Sequence, residues 1–80
     1  GVRGTFMRTE EFGDITVTDD GVTVKVAFPV KPTANVRAVL RGHAFKRAAA
    51  LAWARPCDPY AWSMGKLVAA RACHAAAEIL

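Results

Sequence analysis

The stretch AFPVKPTANVRAVLRGHAFKRAAALAW, residues 27–53, decides the fold of this chain. It begins at the end of an apolar strand that closes on Phe28, and it passes through a Lys-Pro-Thr segment at residues 31–33. A short segment with helical spacing of apolar residues follows and ends near Gly42. The last part carries two adjacent basic residues and ends at Trp53. This order predicts a strand, a helix and a further structured segment, and it contains no motif typical of an enzyme.

Upstream of this stretch, alternating apolar and polar residues predict a β-hairpin. Residues 14–18 and 22–28 both alternate with a period of two, and the Asp-Asp-Gly of residues 19–21 favours a tight turn between them. Pro29 and Pro32 end the pairing because proline has no N–H for the ladder. The residues expected to enter the core are Ile15 and Val17 from the first strand, and Val22, Val24, Val26 and Phe28 from the second.

Residues 34–41 are predicted to form a short helix. Thr33 is a suitable N-cap, and Gly42 is typical of the position after the C-cap. The stripe expected to be buried consists of Val36, Val39 and Leu40. Arg37 and Arg41 lie at i, i+4 on the other side, where like charges repel. An anionic partner or a nearby carboxylate, such as those of Glu10 and Glu11, is expected to offset them.

The alanine-rich segment 43–55 has two interpretations. Its intrinsic propensity favours a helix. A hairpin would instead place strands at residues 45–47 and 52–55 around a turn at residues 48–51, although that turn contains neither Gly nor Asn. The local sequence leaves both interpretations open.

The last third of the chain predicts a long helix from Pro59 to near Leu80, with Asp58 as its N-cap. Gly65 is expected to permit the close approach of another element. The face expected to pack on the sheet consists of Ala61, Met64, Val68, Ala72, Ala75 and Ile79. The predicted fold class is therefore α+β: a small antiparallel sheet, with the N-terminal hairpin and a second hairpin if residues 43–55 pair, packed with a short helix and a long C-terminal helix.

Eighty residues are enough for one domain with a thin core, and too few for a deep substrate pocket. We interpret residues 1–7 as a vector remnant or disordered start, and residues 8–80 as a single domain. No uncharged run is long enough to span a membrane and no signal peptide is recognisable, so a cytoplasmic location is expected. Cys57 and Cys73 are then expected to be free thiols.

The net charge of +4 is unevenly distributed. Residues 1–20 contain five acids and two bases, a net charge of −3, whereas residues 21–80 contain nine bases and two acids, a net charge of +7. This asymmetry predicts either an anionic partner or a pairing between the two parts of the chain. A solvated surface that is charged for solubility also accounts for it.

The central stretch interleaves cations with Phe45 and Trp53, a pattern typical of nucleic-acid binding. We expect both rings to lie in the core, which leaves only salt-sensitive, non-specific contact with nucleic acid. Trp62 is expected either to form a binding hot spot beside a cation or to fasten the last helix to the sheet. The alanine-rich helix also suits a homodimer. The candidate partner-binding residues are Arg37, Arg41, Lys46, Arg47, Arg55 and Trp62.

No catalytic site, metal site or cofactor is expected. Cys57 and Cys73 have no second ligand at a metal-binding spacing, and Cys73 and His74 would point about 100° apart on a helix. Ser63 and the two cysteines are the candidate nucleophiles, with His43 and His74 as candidate bases, but no nucleophile elbow, glycine-rich loop or acid pair supports them.

The order of motifs resembles that of small α+β domains encoded by phages and integrated mobile elements. Their pattern is an aromatic-ended strand, Lys-Pro-Ser, an arginine in the helix, Leu-Lys-x-x-Gly-Phe-Arg-Trp and a closing Trp. The matching positions, which cover roughly half of the chain, are Lys31, Pro32, Thr33, Arg37, Leu40, Arg41, Phe45, Lys46 and Trp53. The chain departs from the pattern at Ala44, where the family has glycine, and at Arg47, where it has tryptophan.

This resemblance implies a ββαββα-like arrangement, a phage or prophage origin and no catalytic activity. Such domains are found near genes for DNA modification and host-defence evasion, and the chain is similar in size to anti-CRISPR proteins. The expected function is a non-enzymatic inhibitor that binds a host defence complex, at an acidic or nucleic-acid-binding surface, through its own cationic surface. The alternative is a nucleic-acid-binding accessory module that contacts DNA or RNA directly.

Overall fold

The computed structural model describes residues 7–79, and the side chains of residues 7–74. The interpretation of residues 1–7 as a disordered start therefore falls, apart from Met7, outside the described residues. The elements found between residues 7 and 79 are β1 (Arg8–Phe12), β2 (Ile15–Asp19), β3 (Thr23–Ala27), α1 (Ala34–Gly42), β4 (Lys46–Ala49), β5 (Ala52–Pro56) and α2 (Ala61–Ile79).

These strands form one antiparallel sheet in the order β1-β2-β3-β5-β4, which confirms the predicted α+β class with a short helix and a long C-terminal helix. Val17, Val26 and Trp53 are opposite one another across the ladders and are all buried. Helix α2 packs on β2 and β3, and so covers the face that carries these residues. We call this the helix-covered face; the other side of the sheet is the open face.

Strand β1 has no counterpart in the sequence-based prediction. Its central residues Thr9, Glu10 and Glu11 are all polar, so the sequence shows no alternation of apolar and polar residues there. All three are exposed in the structure. It pairs with β2 through a turn in which Gly13 has a φ of 62°, the value that a type II′ turn requires at its first central position. Glu10 and Glu11 therefore lie on an edge strand, and their charges protect its open edge from pairing with another chain.

The predicted hairpin of β2 and β3 is confirmed, with one residue misplaced. Val22 is 75% exposed, whereas it was predicted to share the buried face of its strand. It lies in the turn, because Asp20 Oδ1 accepts the N–H groups of Val22 and Thr23 at 2.8 and 2.7 Å and so delays the start of β3. The residues buried as expected are Ile15, Val17, Val24, Val26 and Phe28.

Helix α1 begins as predicted, since Thr33 Oγ1 accepts the N–H of Val36 at 3.3 Å. Leu40 is fully buried, and Val36 and Val39 are half-buried against the core. The predicted apolar stripe is therefore confirmed.

The C-terminus of α1 differs from the prediction. The helix continues through Gly42, which was expected to follow the C-cap. The N–H of Ala44 donates to the carbonyl of Arg41 at 3.0 Å, and the N–H of Phe45 donates to the carbonyl of Leu40 at 2.9 Å. These are the two hydrogen bonds of a Schellman motif, and its left-handed residue is Ala44, with a φ of 67°. Phe45 and Leu40 are both buried and complete the motif with a hydrophobic contact.

The segment after α1 is a β-hairpin, which decides between the two interpretations of residues 43–55. Strand β5 pairs with β3 along its whole length and places Trp53 in the core. This tertiary pairing outweighs the helix propensity of the alanines. The turn at Ala50 and Leu51 has no left-handed residue. A register shift between Arg47 and Ala49 marks a bulge instead, and such a bulge supplies extra twist.

Helix α2 begins at Ala61, two residues later than predicted. Asp58 still caps this segment, because its Oδ1 accepts the N–H groups of Tyr60 and Ala61, both at 2.8 Å. Among the residues expected to pack on the sheet, Ala61, Val68 and Ala72 are buried and Met64 is half-buried, while the side chains of Ala75 and Ile79 lie outside the described residues. Neither α1 nor the described part of α2 is long and apolar enough to cross a membrane.

Gly65 lets α2 lie directly on the sheet, as expected. A Cβ at this position would lie 3.1 Å from Val24 Cγ1 and 3.2 Å from Val17 Cγ1. Both valines are fully buried, and their β-branched side chains have little freedom to move aside. The close approach of α2 therefore requires the absence of a side chain here.

We predict that Gly65→Ala destabilises the protein by about 1 kcal/mol, because overpacking outweighs the gain in helix propensity. The matched control is Gly42→Ala in α1, where an added Cβ would meet nothing within 4 Å. This control should stabilise the fold by up to about 1 kcal/mol. Urea unfolding of both variants measures the difference, and an equal stabilisation by the two substitutions would contradict close packing at Gly65.

We also predict that Ala44→Gly stabilises the protein by about 1 kcal/mol, because glycine adopts a φ of 67° without the steric cost that alanine incurs. The same substitution at the exposed helical residue Ala38 should destabilise it by about 1 kcal/mol. Thermal and urea unfolding report both signs. A loss of stability in Ala44→Gly would show that Ala44 is not strained.

Candidate functional site

Arg41 and Arg47 meet at Trp53 on the helix-covered face. The guanidinium carbon of Arg41 lies 5.4 Å from the centroid of the Trp53 ring, which is only 3% exposed. Arg47 is the direct cross-strand neighbour of Trp53, so its side chain leaves the sheet on the same face. Both arginines are exposed. They therefore lie close together at the β4–β5 side of the molecule.

Arg37 extends this group along α1. It lies one helical turn before Arg41 and is half-buried. Its Nη1 donates to the carbonyl of Pro32 at 2.6 Å, which fixes the direction of the side chain. We call Arg37, Arg41 and Arg47 the arginine surface.

No carboxylate neutralises the arginine surface within residues 7–74. The two ion pairs found there join Arg8 to Asp19 and Arg55 to Asp58. Glu10 and Glu11, which were expected as counter-ions, lie on β1 at the opposite edge of the sheet. The repulsion between Arg37 and Arg41 at i, i+4 is therefore not relieved by an internal partner among these residues.

Arg55 is used inside the fold, whereas it was predicted to contact a partner. Its side chain is 16% exposed; Nη1 donates to the carbonyl of His43 at 2.7 Å, and Nη2 pairs with Asp58. The guanidinium carbon also lies 5.9 Å from the centroid of the Phe45 ring. Arg55 therefore joins the end of α1 to the start of α2.

Lys46 points to the open face, away from the arginine surface. It pairs with Ala54, whereas the next residue, Arg47, pairs with Trp53, and successive side chains of a strand point to opposite faces. Lys25 pairs with Ala54 from the other side. The two lysines therefore share one row of the open face, about 10 Å apart.

Trp62 also lies away from the arginine surface. Its half-buried ring sits between two cations: the guanidinium carbon of Arg8 is 4.4 Å from the ring centroid, and Lys66 Nζ is 5.3 Å from it. Arg8 belongs to β1. Strands β2 and β3 lie between β1 and β5, so β1 and β5 are about 14 Å apart. These contacts connect Trp62 of α2 with β1, and its role as a binding hot spot beside a cation stays a prediction.

A buried carboxylate organises this β1 side of the molecule, and the sequence did not reveal it. Asp19 is 4% exposed; its Oδ1 accepts the N–H of Gly21 at 2.9 Å, and its Oδ2 accepts Arg8 Nε and Nη2 at 3.1 and 3.0 Å. The Gly21 N–H, helped by Arg8 and the Cys57 thiol and opposed by burial, holds the pKa of Asp19 below the ordinary 3.8. Only the register of the unpredicted β1 brings Arg8 opposite Asp19.

The chemistry of the cysteines is consistent with structural roles. Burial raises the pKa of the Cys57 thiol above the ordinary 9.0, and its hydrogen bond to Asp19 acts in the same direction. A thiol with a raised pKa is a weak nucleophile at neutral pH. Cys57 and Cys73 are both free. In the described part of the chain, no three His, Cys, Asp or Glu side chains are grouped so that they could hold a metal ion.

No protein-family model, curated protein sequence or solved structure matches the chain. The resemblance to phage-encoded domains therefore stays a prediction.

We predict that Asp19→Asn lowers the free energy of unfolding by about 1–3 kcal/mol at neutral pH, because the amide keeps an oxygen for the Gly21 N–H but loses the charge and the second acceptor oxygen that bind Arg8. Since the pKa of Asp19 is lowered in the folded protein, its contribution is present above pH 3.8 and disappears as the pH falls through the folded value. The difference between the two proteins should therefore shrink in acid. Urea unfolding between neutral and acidic pH tests this, with exposed Asp14→Asn as the control. A difference that stays constant into acid would refute the role of the Asp19 charge.

Proposed function

We propose that this protein is a non-enzymatic binding protein that inhibits a host defence complex. The arginine surface docks on an acidic patch of that complex, or occupies the place where nucleic acid normally binds. The effect is steric and electrostatic, because the docked domain blocks the complex without changing any bond.

The observation that carries this proposal is the concentration of uncompensated positive charge on one side of the fold. Arg41 and Arg47 are exposed next to each other at Trp53, and no described carboxylate pairs with them. An exposed group of like charges is unfavourable in the free protein, so a complementary anionic partner gains from binding it. The Trp53 ring holds Arg41 in place before binding, which reduces the entropy lost on docking.

Two features of the fold support the link to phage-encoded domains. Position 44, where their pattern has glycine, adopts the left-handed conformation that favours glycine. The segment that the resemblance implied to be a hairpin pairs as β4 and β5. The resemblance in turn directs the proposal to host defence.

The burial of the aromatic rings favours a protein partner over a direct nucleic-acid contact. Phe45 is 1% exposed and Trp53 is 3% exposed, so neither ring offers a stacking platform for bases. Nucleic acid would then meet only the guanidinium groups, and such contact is non-specific and salt-sensitive. A nucleic-acid-binding accessory module is therefore the second candidate.

We predict that the protein restores plaque formation by a targeted phage in bacteria that carry a panel of CRISPR–Cas systems. The double variant Arg41→Glu with Arg47→Glu should lose this protection, with an affinity for the inhibited complex lower by about 100-fold. The matched control is Lys25→Glu with Lys46→Glu, which changes the net charge equally but on the open face. Circular dichroism checks that both variants fold.

The outcomes separate the two candidates. If the open-face control behaves like the wild type and the arginine variant fails, docking through the arginine surface is supported. If the protein instead retards random-sequence duplex DNA at moderate salt, and the arginine variant abolishes only this retardation, the accessory-module function replaces the inhibitor. Equal activity of both charge-reversed proteins in every assay would refute both functions.

A further inference from the structure

An apolar groove lies between α1 and α2, on the opposite flank of α1 from the arginine surface. Its volume is about 590 Å³, and it is open to solvent along its length. Its lining includes Asn35, Val36 and Val39 from α1, and Val68, Ala70 and Arg71 from α2. Val36 and Val39 are only partly buried there, so some of their apolar surface is left uncovered at this point of the fold.

Helix α1 forms a low ridge between the groove and the arginine surface. At 100° per residue, Val36 and Val39 face one flank of the helix, and Arg37 and Arg41 face the other. The exposed residues on the crest between them are Ala34, Asn35, Ala38 and Gly42, and only Asn35 has a side chain longer than a methyl group. A segment of a partner can therefore cross α1 and touch both flanks.

The charges around the groove define the chemistry of the segment that fits it. Arg71 is exposed on the α2 rim, and no ion pair within residues 7–74 engages it. Arg41 lies beyond the crest of α1 and is likewise without a described carboxylate. The groove thus has an apolar floor, with Arg71 on its α2 rim and Arg41 on the far side of the crest of α1.

We propose that the groove binds an acidic amphipathic segment of the partner protein. Its apolar side chains enter between Val39 and Val68, and its carboxylates meet Arg71 on one side and Arg41 and Arg47 on the other. This inference rests on the proposed function and names the class of partner that the arginine surface takes. Phosphate groups gain no binding energy from an apolar floor, so the groove favours a protein segment over nucleic acid as its occupant.

The test uses defined helical peptides and methyl NMR of the valine-labelled protein. The probe peptide has glutamate on one side and leucine at i, i+3 and i+4 on the other. One control peptide replaces glutamate by glutamine, and a second replaces leucine by alanine. We expect only the glutamate–leucine peptide to shift the methyl signals of Val36, Val39 and Val68, with binding that weakens as salt is added. Equal binding of the glutamine peptide, or shifts confined to other valines, would overturn the inference.

A groove-filling variant separates this inference from the proposed function. Ala70→Trp adds a ring at the exposed rim of the groove, and it should weaken binding of the probe peptide by about tenfold or more. Ser63→Trp places the same ring two turns earlier on α2, outside the groove, and should bind like the wild type.

The arginine variant completes the comparison. Suppose that Arg41→Glu with Arg47→Glu abolishes the restored plaque formation, while Ala70→Trp leaves both peptide binding and plaque formation unchanged. The groove then binds no partner segment, and the arginine surface keeps its proposed function. Loss of protection in Ala70→Trp, with Ser63→Trp unaffected, supports the groove. Shifts at Val36 and Val39 that appear on concentrating the protein without peptide would make a second copy of this chain the occupant and overturn the proposal.

Discussion

The close contact between α2 and the sheet at Gly65 is the constraint on which the structure depends. The helix backbone rests on Val17 and Val24 with no side chain between them. Alanines at positions 61, 69 and 72 continue this thin interface along the helix. A domain of this size has little apolar volume to bury, so small residues that bring two layers together supply packing that large side chains would otherwise provide.

The position of the arginine surface follows from the end of α1. The Schellman motif turns the chain at Ala44 and inserts Phe45 into the core next to Leu40. Lys46 and Arg47 come directly after this buried ring, and the alternation of β4 sends only Arg47 to the helix-covered face. The backbone turn therefore decides which cations stand beside Arg41.

The charge asymmetry of the sequence is reorganised by the fold into three separate arrangements. Asp19 pairs with Arg8, and Asp58 pairs with Arg55. Asp19 also accepts the N–H of Gly21 in the turn after β2, and Asp58 accepts the N–H of Ala61 at the start of α2. Lysines 25 and 46 lie on the open face. The arginine surface and Arg71 lie on the helical side, and no carboxylate within residues 7–74 forms an ion pair with them.

The sequence alone determined the elements whose signals are local. Period-two alternation around an Asp-Asp-Gly turn marks β2 and β3, and a capping threonine with helically spaced valines marks α1, because these patterns depend only on neighbours along the chain. Tertiary structure decided the rest. Strand β1 exists through its register with β2, the alanine-rich segment pairs because β3 offers it an edge, and Arg55 is withdrawn from the surface by His43 and Asp58. Such choices depend on contacts between residues distant in sequence, and their energies outweigh the fractions of a kcal/mol by which local propensities differ.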